Sequence, residues 1–475
     1  MSRFKGSKPV PPGAVSQPPV GVLSPPPKPA PSPSAAIPVA WPSQVRPPSR
    51  TGTGEMLRQS ELDNPLRKLG LYLAIVFIFC RFSFLFEVVA TTLNFDYSLL
   101  RVLGILTLAL VAVTGGLGRV LRSKFSYPWL GLVIWMALCT PLSIWPGGSV
   151  SVILAFLKAQ LPMLLIIGGL VLTWKECRLV LGSIALACVV NVLSGKLFVT
   201  NPDTDSRLSL ELGTIGNAND FTAHLFFALP FVIFVMLSSD RGWIRKILCV
   251  GVLGYGLYYC AATGSRGGLV AFAAATAFIL FRAPGRVRIG ALIGIAVISI
   301  LVVAVLPQAL QHRYATLFTS DSDDSEAIES TQARTHLLKA SIQFTFEHPI
   351  FGVGPGEFSD YEAAVAKTAG QKGAWQVTHN AYTQVSSESG IPALLFFLAA
   401  IVMSFRTFGK IYRVARHQPG LRPMAMACFC CQLSMVGFCT AIVFLSLAYA
   451  MYLPTMSGLA LAFSRSLDRE LALQP

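Results

Sequence analysis

His379, in the run THNAYTQVSSESG, precedes a short amphipathic piece at 381–388 and is the residue placed to move a proton. A neutral imidazole, with an ordinary pKa of ~6.5, accepts a proton from a sugar hydroxyl near neutral pH. Arg266 sits in TGSRGG, a tight turn between two apolar runs, where Ser265 can cap the helix that follows. Free N–H groups, the helix dipole and a guanidinium fork at one point make an anion site. Gly267 and Gly268 would let a ligand approach the backbone there. Arg207 belongs to the polar run NPDTDSRLSLELGTIGNAND, with Asp203, Asp205 and Glu211 as its alternative partners. Lys158 lies inside an apolar run, where a cation is costly and often functional, unless its stem reaches the interface.

Two arginines and a histidine suit one chemistry. The arginines bind a pyrophosphate and stabilise it as a leaving group without a metal, while the imidazole activates a sugar hydroxyl. A single displacement of this kind inverts the anomeric centre, by analogy with single-displacement glycosidases. Asn217, Asn219 and Asp220 precede a helix and read as caps or as sugar contacts.

The elements that must position these residues are membrane helices. Hydrophobic residues make up 53% and charged residues only 13% of the 475-residue chain, and mean hydropathy is +0.60. Such a chain cannot cover itself with polar surface and is expected to be an all-α polytopic membrane protein. Apolar runs at 66–90, 97–114, 126–145, 150–172, 177–197, 219–238, 243–262, 266–282, 288–306, 390–409, 422–445 and 446–463 give about twelve crossings. The expected organisation is a Pro-rich basic tail at 1–65, nine crossings at 66–306, a hydrophilic loop at 307–389, three crossings at 390–463 and a C-terminal tail at 464–475.

Net charge is +15, but the cations cluster between apolar runs, which points to topology rather than nucleic acid. With the N-terminus inside, the inner segments hold 27 of the 38 Lys and Arg residues, as the positive-inside bias requires. Both termini are then cytoplasmic and the long loop faces outward. That loop carries ten of the 23 acidic residues and four of the six histidines. Cations left on the outer side, against the bias, include Arg101, Lys158, Lys196, Arg207, Arg266, Arg313 and Arg334. None of the ten cysteines lies in the loop, and no disulfide framework or metal-ligand spacing is apparent. The acidic run Asp321, Asp323, Asp324, Glu326, Glu329 lacks the spacing of a calcium loop. Gly352, Gly354 and Gly356 alternate without a surrounding βαβ unit, so they read as a turn that shapes the loop.

The order TGSRGG, then R…HPIFGVGPGEF, then HNAYTQVSSESGIP resembles the O-antigen ligase and O-antigen polymerase family of bacterial envelope glycosyltransferases. The resemblance covers roughly 200–445, with its sharp motifs at 348–358 and 379–390. It implies a multi-pass enzyme of the bacterial inner membrane with a periplasmic site. Such an enzyme would move a glycan from undecaprenyl pyrophosphate to lipid A–core or to a growing glycan, without a cofactor or metal. His379 matches the family's loop histidine, Arg266 its Ser-Arg turn, and Arg207 its earlier outer-loop arginine.

Asn380, Tyr382, Gln384 and Glu388 follow the histidine as possible substrate contacts. Tyr382 is equally explained by a helix resting on the bilayer edge. Glu388 could orient the imidazole or pair with an arginine. Ligase, polymerase and protein O-glycosylating ligase share these motifs. A lipid-glycan transporter is the reading from another class, but it would favour internal repeats and midplane charges, whereas the polar residues here gather at one face.

Overall fold

The computed structural model describes residues 59–93, 98–198, 215–238, 242–282, 285–315 and 325–473, all within the unit Glu55–Pro475. Among these residues the chain is built from helices, with no strand element. The tail at 1–58, Arg207 with its acidic neighbours, and the aspartates at 321–324 lie outside the described residues.

Seven described helices are long and apolar enough to cross a membrane: Pro146–Leu170, Trp174–Gly195, Ala218–Ser238, Trp243–Ala262, Arg288–Val305, Ala381–Ala415 and Pro419–Phe444. The protein is therefore an integral membrane protein by length and composition of its helices. The other five apolar runs are helical too, but each departs from a simple span. Pro65–Ser83 carries three cations and stops at Phe84, whose backbone is left-handed (φ 50°). Ser98–Val113 has 16 residues, Tyr127–Leu142 is also short, and Arg266–Arg282 has 17. Tyr452–Ala472 starts later than the apolar run and ends in the polar sequence DRELA.

Six helices build the candidate site: α1 (Ala218–Ser238), α2 (Arg266–Arg282), α3 (Ser325–Glu347), α4 (Phe358–Thr368), α5 (Ala381–Ala415) and α6 (Arg422–Ala441). The hydrophilic stretch before α5 folds on a small core of its own. Leu337, Ala340 and Phe344 of α3 pack there with Val353 and Phe358, and Tyr361 and Ala374 close over them. That core fixes α3 and α4 relative to the segment that leads to His379.

The glycine turn is tied to a break in α5. Helical geometry stops at Gly390 (φ 79°, ψ 176°), so 381–389 is a separate first limb. Across the break, Val353 N–H donates to Ser387 O and Gly354 N–H to Glu388 O, both at 2.9 Å, and Ile391 N–H donates to Pro349 O at 2.8 Å. The indole N–H of Trp135 donates to Ser389 O at 3.0 Å. A Cβ on Gly352 would strike the Glu388 carbonyl, and one on Gly390 would strike that of Ile350. Both glycines have positive φ, so the backbones can approach only because neither has a side chain. Gly352→Ala should therefore cost roughly 2 kcal/mol or more. A thermal-melt series in detergent, with a surface Gly420→Ala control, checks this; equal melting of the two variants would contradict it.

Candidate active site

The turn before α2 is held from two sides. Ser265 Oγ accepts from Gly268 N–H at 3.1 Å, capping the helix that Arg266 opens. Thr263 Oγ1 and Thr222 Oγ1 share a hydrogen bond of 2.7 Å, which ties the turn to α1. The start of α1 is organised by Asn217, whose Oδ1 accepts from Asn219 N–H (2.9 Å) and Asp220 N–H (3.1 Å). Asp220 in turn accepts from Gly216 N–H and Asn217 Nδ2. Asn217 and Asp220 thus make the capping contacts expected of this trio, and Asn219 lines the cleft beside them.

These elements meet at one small cleft. Asn219 and Thr222 line it from α1, Ser265, Gly267 and Gly268 from the turn, and Arg334 from α3. Phe444 and Leu445, just beyond α6, supply an apolar wall. Arg266 is half-buried between lining residues on either side. The two glycines also have a packing reason that the sequence did not disclose. A Cβ on Gly267 would meet the Phe444 ring at 2.8 Å, and one on Gly268 would meet Thr222 Cγ2 at 2.8 Å. They let α2 seat against its neighbours, so ligand access is not their only use.

His379 adopts a left-handed backbone (φ 51°) immediately before Asn380. Asn380 caps α5, its Oδ1 accepting from Tyr382 N–H (2.9 Å) and Thr383 N–H (3.1 Å). Thr378 on the other side is buried and bonds Ser446 Oγ at 3.0 Å, next to Leu445 of the cleft wall. The imidazole is half-buried. Burial first, and the Arg334 guanidinium second, hold its pKa below the ordinary histidine value. Arg334 therefore borders the cleft and acts electrostatically on His379. A left-handed non-glycine residue is costly and persists where its surroundings over-determine it, a feature concentrated at functional sites.

The remaining expected residues are placed differently. Tyr382 O–H donates to Cys439 O at 2.9 Å, and Gln384 Oε1 accepts from Ala448 N–H at 3.4 Å. Glu388 is buried, and its Oε2 accepts from Gly356 N–H and from Tyr449 O–H, each at 2.9 Å. These three side chains fasten the first limb of α5 to α6, to the segment after it and to the glycine turn. The bonds of Glu388 run to that turn and to a tyrosine, not to an imidazole or an arginine. Lys158 is exposed in a π-helical turn, Phe156–Gln160, and does not line the cleft. Arg334 stood in the sequence only as one of several outer cations. Its place ahead of HPIFGVGPGEF was the signal available.

The model of the O-antigen ligase family matches residues 251–398, a stretch that contains the α2 turn, Arg334, the glycine turn and His379. The resemblance read from the motifs holds over that region. No curated protein matches the chain.

Proposed function

We propose, from the match of residues 251–398 to the O-antigen ligase family model, that this chain transfers a glycan from undecaprenyl pyrophosphate to a sugar hydroxyl of lipid A–core. The reaction takes place on the periplasmic face of the bacterial inner membrane. The observation that carries this reading is the meeting of Arg334 with the α2 turn in one cleft, beside His379.

Arg266 and Arg334 bind the pyrophosphate oxygens, joined by Arg207 of the preceding outer segment. The wall of Phe444 and Leu445 suits the first isoprene units. His379 takes the proton of the acceptor hydroxyl as its oxygen attacks the anomeric carbon. The bond to the pyrophosphate oxygen breaks, its electrons stay on the leaving group, and the configuration inverts. Asn219, which lines the cleft, and Asn380, next to His379 in the chain, contact sugar hydroxyls. A growing glycan as acceptor would make the same chemistry a polymerase, and a protein hydroxyl would make it a protein O-glycosylating ligase.

The purified chain in nanodiscs should convert lipid-linked O-antigen and lipid A–core to ligated product and free undecaprenyl pyrophosphate, with or without chelator. Movement of lipid-linked glycan across vesicles without any product would favour a transporter and overturn the reading. A pH profile adds a second check. The active imidazole is the neutral one, and a lowered pKa keeps it neutral into more acidic solution. The acid limb of kcat/KM, which reports the free enzyme, should therefore lie below ~6.5, the ordinary histidine value. Arg334→Gln should move that limb upward; an unmoved limb would separate Arg334 from His379.

A further inference from the structure

The segment between α4 and α5 is pinned at two places and open between them. Ala374 N–H donates to Glu362 Oε2 at 2.9 Å, and Glu362, itself buried, pairs with His336 of α3 at 3.3 Å. Gly373 lies against Ala363, where a Cβ would be 2.7 Å from the Ala363 Cα. At the other end Thr378 is fixed to Ser446. Between the pins Trp375, Gln376 and Val377 are exposed, the indole to 67%.

Trp375 is also left-handed (φ 52°). Three described non-glycine residues have positive φ, and two of them, Trp375 and His379, lie in this one strap. An exposed indole gains nothing from the core that would offset a strained backbone, so folding alone gives no reason for its placement. Four residues span at most ~14 Å, so the indole stands within one short oligosaccharide of His379. The flat apolar face and the N–H of an indole match the C–H face and the hydroxyls of a pyranose ring. A tryptophan at a membrane interface is the other use of an exposed indole. Such an anchor needs only depth, however, not a backbone pinned on both sides, and the neighbours here are Lys372, Gln376 and the His336–Glu362 pair.

We propose that Trp375 is a sugar-stacking subsite that carries a pyranose ring of a glycan whose reacting end lies at His379. This rests on the transfer reading above. The glycan belongs either to the acceptor or to the donor, and two probes distinguish them: delipidated core oligosaccharide, and O-antigen oligosaccharide released from its carrier.

The full chain carrying His379→Ala, in nanodiscs, is titrated calorimetrically with each probe. Adding Trp375→Ala should weaken one probe by about tenfold, and Trp375→Phe should recover most of that loss. With His379 restored, Trp375→Ala should raise KM for the same glycan and leave kcat within about twofold. Unchanged affinity for both probes, or no binding of either by the Trp375 form, overturns the proposal. So does a brominated-lipid quenching signal that Trp375→Ala removes while glycan affinity stays intact, which would put the indole in the bilayer. Transfer that survives His379→Ala would remove the general base while the binding titrations still decide the role of Trp375.

Discussion

His379→Ala loses glycan transfer by about 10²- to 10⁴-fold, the range that a positioned general base supplies, while the protein still folds. The loss should fall on kcat, because the acceptor oxygen retains its proton when it attacks, and donor binding at the arginines is untouched. Alanine at a left-handed position carries a backbone cost of its own, so the sharper variant is His379→Asn. Asparagine tolerates φ near 51° better than most residues, yet it offers no titratable nitrogen. His379→Asn should melt no lower than the parent and transfer no faster than His379→Ala. Parental kcat in either variant would remove this histidine from the chemistry.

Arg334→Ala should lower kcat/KM for the lipid-linked donor by about 10²- to 10³-fold, comparable to losing one donor to a developing oxyanion. The residue lines the same cleft as the α2 turn, and a pyrophosphate there would engage it together with Arg266. Lysine should not rescue it, at this position or at Arg266, since a point charge replaces a planar fork. The acceptor KM should move little. Donor kinetics at saturating acceptor check this, and an Arg334→Lys enzyme with parental donor KM would contradict pyrophosphate binding there.

Much of this site could be read along the chain because it is written in local signals. A serine before an arginine at a helix start, asparagines ahead of another, and glycines alternating in GVGPG each report a cap or a turn over a few residues. What stayed hidden depends on approach between distant segments. Arg334 reaches the turn at 265–268 only because α3 is seated by the core of Leu337, Phe344 and Phe358. The direction of the Glu388 carboxylate could not be foreseen either, since its partners, Gly356 and Tyr449, lie 32 and 61 residues away. Where a helix breaks is hidden in the same way. The break at Phe84 is left-handed at a bulky residue, which composition gives no reason to expect.

The most direct test is an experimental structure of the chain in nanodiscs with undecaprenyl pyrophosphate bound. The account predicts pyrophosphate density between the 265–268 turn and Arg334, with the isoprenoid leaving past Phe444 and the His379 imidazole on the side where the glycan would attach. Pyrophosphate bound elsewhere, with this cleft empty and His379 remote from it, would contradict the account.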